Sequence, residues 1–203
     1  RGLVGSEMCI RDSYNLAVIN WFNEEGSRFA PSMMGSSVFT GTLALTDAHS
    51  VTDLAGVTVA QAQEAAGWSP RGEAPTLASY AEIHVEQGKQ LEDAGNTIGL
   101  VTATWGAKKF QAVVSGEQGH TGSTLMADRK DALFGASLII AEVERLTHEF
   151  EIGQLQASVS QLTLEPNSPV TIAREVRFNV DVRSPSTEVL DKAQKRLQEI
   201  IVA

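Results

Sequence analysis

Glu175-Val176-Arg177-Phe178-Asn179-Val180-Asp181-Val182-Arg183 alternates without a break between polar and apolar side chains. Successive side chains of a β-strand point to opposite faces. The stretch therefore predicts a strand with Val176, Phe178, Val180 and Val182 on a core face. Glu175, Arg177, Asn179, Asp181 and Arg183 lie on the other face. Two stretches upstream share the period. Lys108 to Ser115 puts Phe110, Ala112 and Val114 on one face, and residues 155–164 alternate again. Between them, from about Asp128 to His148, the period changes to that of an amphipathic helix. Its stripe is Leu133, Ala136, Ile140, Val143 and Leu146, with Glu142, Glu144 and Arg145 off it. Downstream, Ser186 or Thr187 can cap a last helix carrying Leu190, Ala193, Leu197, Ile200 and Ile201. Strand, helix, strand, strand, helix is the pattern of a two-layer α+β domain with helices over one face of an antiparallel sheet.

Before about residue 104 the character differs. Leu16-Ala17-Val18-Ile19-Asn20-Trp21-Phe22 is nearly all apolar. Residues 15–22 therefore read as a buried strand of an α/β sheet. Residues 79–85 read as a second strand, with Tyr80, Glu82 and His84 on its polar face. A helix then runs through Gln90 and Leu91 to near Gly95. Pro31 to Gly41 suggests a loop with a short helix, Thr58 to Gly67 a short helix, and Ser69 to Pro75 a turn-rich connection. The chain divides into a slice of an α/β domain over residues 14–104 and an α+β domain over 105–203. Residues 1–13 fit neither. They show no period, do not begin with Met, and resemble a translated sequencing-adapter read, so they are expected to be non-native.

The 203 residues are 42% hydrophobic and 20% charged, ordinary for a globular protein, with a formal net charge of −9. No basic stripe is available to neutralise phosphates, which argues against nucleic acid as a partner. No apolar run approaches the roughly 20 residues that span a bilayer. One cysteine, Cys9, permits no intrachain disulfide and fits a reducing, cytoplasmic compartment.

Four places carry candidate chemistry. Glu24 and Glu25 follow the first apolar run. They read as a solvated pair at a strand end, or as one metal-holding carboxylate beside one proton acceptor. His84 reads as a structural histidine or a ligand. Gly116 to Thr124 is glycine-rich but lacks the Gly-Lys-Ser/Thr ending of a phosphate loop. It is a plain turn, or a loop that presents His120 and nearby amides to a polar ligand. Arg183 is a surface ion-pair partner of Asp181, or a bidentate clamp for a carboxylate.

Four motifs then occur in order: Asn23-Glu24-Glu25-Gly26-Ser27-Arg28-Phe29; His84-Val85-Glu86-Gln87-Gly88; Gly119-His120-Thr121-Gly122-Ser123-Thr124, with Met126, Arg129, Asp131 and Ala132; and Asp181-Val182-Arg183. The series closely resembles the N-carbamoyl-L-amino-acid hydrolase, β-ureidopropionase and allantoate amidohydrolase group of the dinuclear-metal aminoacylase and carboxypeptidase family. The resemblance implies a partial catalytic domain over 14–104 and a lid and dimerisation domain over 105–203. It implies metal-dependent hydrolysis of non-peptide C–N bonds in linear ureido or amide compounds. It makes Glu24 the general base, Glu25 a ligand to one metal and His84 a ligand to the other. Gln87 would lie close to the substrate. His120 would stabilise the developing oxyanion or polarise the carbamoyl oxygen, reaching into the partner subunit's site of a homodimer, and Arg183 would hold the substrate carboxylate. Two divalent ions are implied, zinc first, with manganese, cobalt or nickel as alternatives.

The chain departs from this pattern. The family's His-x-Asp motif and bridging Asp do not precede Glu24, and its last ligand histidine does not follow. The expectation is a truncated, inactive chain. Val170 stands where the family has a substrate-contacting Asn, Ala173-Arg174 replaces a Pro-Gly turn, and Leu125 replaces a Pro. The alternatives are an aminoacylase or dipeptidase of the wider family and a noncatalytic dimerisation module.

Overall fold

The computed structural model describes residues 16–68 and 74–202. The expectations for residues 1–13 and Cys9, and for most of the Ser69 to Pro75 connection, lie outside these. The chain forms two compact units, one extending to Val85 and one starting at Glu86.

The first unit is built on three short helices, α1 (Met34–Phe39), α2 (Leu45–Ser50) and α3 (Val59–Ala65). Thr58 starts α3 with a capping box: its hydroxyl accepts the Gln61 amide, and the Gln61 side chain accepts the Thr58 amide. Gly67, at φ 68°, takes the left-handed conformation just past its end. Phe29, Met34, Ala48 and Val59 form the core, with Phe22, Val38, Leu43, Val51 and Ala62 packed on it.

The two strands expected here do not form. Residues 16–22 and 79–85 carry no strand, and Leu16 and Val18 are 63% and 75% exposed. Ile83 is fully exposed. The reason is the hydrogen-bond ladder. A strand is stable only beside a partner that satisfies its backbone. Among the described residues of this unit the only such pairing is a single bridge, Thr52 with Thr58. Apolar content alone does not make a strand.

In the second unit, α4 (Gln90–Asp93) precedes β1 (Gly106–Ser115), β2 (Gly119–His120), α5 (Ala132–Leu146), β3 (Gln156–Glu165), β4 (Thr171–Ile172), β5 (Glu175–Ser184) and α6 (Thr187–Val202). β5 is the centre of a three-stranded antiparallel sheet in the order β1-β5-β3. β2 and β4 form a separate two-stranded antiparallel pair. Val176, Phe178, Val180 and Val182 are buried as the alternation requires, none more than 1% exposed. Helices α5 and α6 pack against this face and against each other.

Three details differ from the sequence expectation. Helix α5 starts at Ala132 rather than near Asp128, because the Asp131 carboxylate accepts the Leu133 and Phe134 amides as its cap. Residues Met126–Asp128 make a separate 3₁₀ turn. The helical phase is therefore set from Ala132, which is buried, and Leu133 is left 43% exposed. β3 carries a bulge between Ser160 and Thr163, where Gln161 sits at φ 48°. The extra residue shifts the alternation, so that Ala157 and Val159 on one side of the bulge and Leu164 on the other all pack on the core. In α6, Ile201 is 45% exposed. No helix among the described residues is long and apolar enough to cross a membrane.

Candidate functional site

Glu24 and Glu25 sit in a clipped loop, not on an extended strand. Asn23 takes the left-handed conformation at φ 50°, which Asn tolerates better than most residues. Its side-chain amide donates to the carbonyls of Phe29, at 2.7 Å, and Pro31, at 3.1 Å. The chain then returns against the start of α1: the Met33 amide donates to Glu24 O and the Gly35 amide to Phe22 O. Gly26 has φ 74°, and a Cβ there would lie 2.7 Å from the Ser32 backbone, so glycine is required. The backbone here is turned rather than extended, so the strand end expected at Glu24 and Glu25 is absent. Both carboxylates are exposed at the loop surface.

Arg28, in the same loop, pairs with Asp53 at 2.9 Å and lies over the Phe29 ring, 4.9 Å from its centre. Asp53 also accepts the amides of Ala55 and Val57. The Val57 amide first, with Arg28 and Ala55 adding to it, holds its carboxyl below the usual carboxylate range in spite of desolvation, which raises it by less than Val57 lowers it.

Tyr80 and Glu82 do share a face: the Tyr80 hydroxyl donates to Glu82 at 2.6 Å. That bond raises the pKa of the phenol. Trp21 donates to the same hydroxyl at 3.0 Å. His84 is exposed, and its Nδ1 lies 2.5 Å from the Val85 carbonyl oxygen. Glu86, inside the second motif, caps α4 by accepting the Gln90 and Leu91 amides. Gln87 is exposed and sits at φ 58°.

The loop after β2 is braced on two sides. His120 pairs with Thr171 across β2 and β4, and the Thr121 amide donates to Val170 O. The Arg129 guanidinium donates to Thr124 O at 3.1 Å and to Thr121 O at 2.6 Å. The Gly122 amide donates to His120 Nδ1 at 3.0 Å. Arg174, in place of the expected turn glycine, bonds Gln118 and pairs with Glu165, tying the loop's approach to the end of β3. Arg183 lies on the open face of the main sheet, held by Asp181 through Nε and Nη2.

Glu24, Glu25 and His84 thus belong to the first unit, and Gln87, His120 and Arg183 to the second. His120 and Arg183 stand on different sheets. Among the described residues no three His, Cys, Asp or Glu side chains come together as a metal site. The donors among the described residues do not by themselves complete the roughly four-ligand shell that zinc takes. The sequence passed over Asn23, Glu86, Gly122 and Arg129 as holding groups. All four were inside quoted motifs, but each of their hydrogen bonds has a backbone atom on one side, which a sequence does not display.

No family model matches the chain. It is 50% identical over 198 residues to a Mycolicibacterium smegmatis protein named as a hydrolase, covering 93% of this chain and 44% of that one. It is 34% identical over 195 residues to an N-carbamoyl-L-amino-acid amidohydrolase of Rhizobium meliloti, covering 95% and 47%. Among solved structures, a hydantoinase/carbamoylase family amidase of Burkholderia vietnamiensis superposes with a TM-score of 0.78 at 35% identity, covering 90% of this chain and 44% of that one. The chain is homologous to N-carbamoyl-L-amino-acid amidohydrolases, allantoate amidohydrolases and hydantoinase/carbamoylase family amidases. It spans about half the length of the curated relatives it matches.

Proposed function

We propose that the protein carrying this sequence hydrolyses a non-peptide C–N bond in a linear ureido or amide acid, an N-carbamoyl-L-amino acid first. The observation that supports this reading is the braced loop that presents His120 in a chain related to amidohydrolases. Glu24 takes a proton from water as its oxygen attacks the carbamoyl carbon. His120 donates a hydrogen bond to the oxygen that becomes negative. As the C–N bond breaks, Glu24 passes that proton to the departing nitrogen, releasing the amino acid and carbamate, and the carbamate breaks down to ammonia and carbon dioxide. Arg183 holds the substrate carboxylate, and Gln87 lies beside the substrate.

Residues 14–104 then belong to a catalytic domain and 105–203 to a lid and dimerisation domain. A homodimer in the cytoplasm is part of the reading; the exposed Leu133, Phe134 and Leu138 on α5 suit contact with a second copy. Glu25 and His84 are the proposed ligands to two divalent ions, zinc or otherwise. A Nδ1–H bonded to the Val85 carbonyl would leave the His84 Nε2 lone pair for a metal. The described residues do not close that site, so the steps above run through the chain's own side chains.

The test is a substrate panel with added Zn²⁺, Mn²⁺, Co²⁺ or Ni²⁺. It compares N-carbamoyl-L-amino acids and allantoate with N-acyl amino acids and dipeptides. Ureido turnover that falls by about 10²–10⁴ in Glu24→Gln supports the proposal. Preference for acyl amino acids or dipeptides moves the assignment to an aminoacylase or dipeptidase. Self-association with no turnover on any substrate leaves a dimerisation module.

A further inference from the structure

The two nitrogens of the His120 ring face different tasks, and the backbone decides which. The Gly122 amide lies 3.0 Å from Nδ1 and donates to it. An amide N–H can only donate, so Nδ1 carries a lone pair there. The proton of the neutral ring is then on Nε2. A doubly protonated ring would set two N–H groups against each other. His84 shows the opposite arrangement. Its Nδ1 faces a carbonyl oxygen, which can only accept, so Nδ1 carries a proton and, in the neutral ring, the lone pair is on Nε2. In their neutral forms the two exposed histidines thus have opposite character at Nε2, an acceptor at 84 and a donor at 120.

The bond at His120 is also held in place. Gly122 lies between Thr121 and Thr124, whose carbonyls both accept from Arg129. The Thr121 amide is fixed to Val170 O, and the Thr124 amide to His120 O. Gly122 suits its position for a second reason. A Cβ there would lie 3.3 Å from Cε1 and 3.5 Å from Nδ1 of the His120 ring. The ring would have to give way, and the amide geometry with it.

We propose that Gly122 is a positioning residue for His120: its amide locks the ring in the Nε2–H tautomer, so that this site offers a neutral hydrogen-bond donor to a carbonyl-type oxygen. Arg129 acts one step further out, holding the carbonyls on both sides of Gly122. That the oxygen belongs to a carbamoyl group rests on the proposed function; the tautomer and its cause do not.

The experiment is nitrogen-15 NMR on the full 203-residue chain. Long-range proton–nitrogen spectra resolve the ring nitrogens of His49, His84, His120 and His148, with His120→Gln making the assignment. The expected result is one tautomer at His120, protonated on Nε2, with a coupling across the hydrogen bond between the Gly122 amide nitrogen and Nδ1. A ring protonated on Nδ1, or a rapid average of both tautomers, overturns the proposal using the unmutated chain alone. Gly122→Ala is expected to mix the tautomers and weaken the coupling; an unchanged spectrum removes Gly122 from the positioning role.

Activity then separates the two layers. In the protein carrying this sequence, His120→Ala is expected to lower kcat by about 10²–10³, with partial rescue by His120→Gln, which keeps an N–H donor. A locked tautomer together with no ureido hydrolysis sinks the functional reading and leaves the tautomer assignment standing. Hydrolysis with an unlocked ring does the reverse.

Discussion

At the scale of single residues, the loop carrying Glu24 and Glu25 depends on Asn23. Its amide satisfies two carbonyls, and its left-handed backbone costs Asn less than other side chains. Asn23→Ala leaves the partly buried Phe29 carbonyl and the exposed Pro31 carbonyl without this donor and adds backbone strain, so a loss of about 1–3 kcal/mol is expected in chemical denaturation. Asn23→Gly, which keeps the conformation and loses the bonds, should fall between the two. Equal stability of all three proteins would show that the clip does not hold the loop. Asp53 offers a pH test. Its folded pKa is depressed, chiefly by the Val57 amide and also by Arg28. Its stabilising contribution is therefore complete above the ordinary Asp pKa of about 3.9 and is lost as pH falls through the lower folded value. Asp53→Asn, which can keep an oxygen for the two amides, should flatten that acid limb of the stability curve; an unaltered limb rejects the assignment. Little of this was legible in the sequence. Glu24, Glu25 and His120 were visible as chemical types, whereas Asn23 acts on backbone carbonyls and Gly122 through its own backbone amide, in conformations that only the fold supplies.

At the scale of elements, legibility followed burial. β5 was readable residue by residue because its core face is covered by two helices and its register is fixed on both sides by β1 and β3. Phe178 is 1% exposed in that face, so Phe178→Ala should cost about 3–5 kcal/mol, read as a shift in denaturation midpoint. A shift under about 1 kcal/mol would mean that the core is not packed as described. The start of α5 was misplaced because a cap is fixed by its amide partners rather than by the apolar period, and the actual boundary is the Asp131 cap. Asp131→Ala is expected to remove about 1 kcal/mol, and Asp131→Asn or Asp131→Ser to restore most of it. Failure of the restoring variants would place the cost in charge rather than in capping. The bulge in β3 was invisible, since nothing in Ser160-Gln161-Leu162-Thr163 marks one extra residue.

At the scale of the whole molecule, the two units differ in how much core they own. The alternation that identified β5 was satisfied within its own unit. Residues 16–22 and 79–85, equally apolar on paper, find no ladder among the described residues and leave Val18, Ile83 and Val85 exposed. The first unit's core is Phe29, Met34, Ala48 and Val59 with a ring of partly buried neighbours. The second packs both long helices on a three-stranded sheet around Phe178, Leu146 and Leu197. Apolar burial scales with stability at about 25 cal/mol per Å², so the first unit should unfold at lower denaturant, giving two transitions rather than one. The tryptophans can report this separately, because Trp21 and Trp68 lie in the first unit and Trp105 in the second. Trp105→Phe leaves reporters only in the first unit, and the double variant Trp21→Phe with Trp68→Phe leaves one only in the second. The first protein should show the earlier midpoint. Met34→Ala, which empties a fully buried site at a cost of about 2–5 kcal/mol, should move that midpoint and leave the Trp105 transition in place. Coincident transitions, or a Met34→Ala shift felt equally at Trp105, would show that the chain unfolds as one cooperative body.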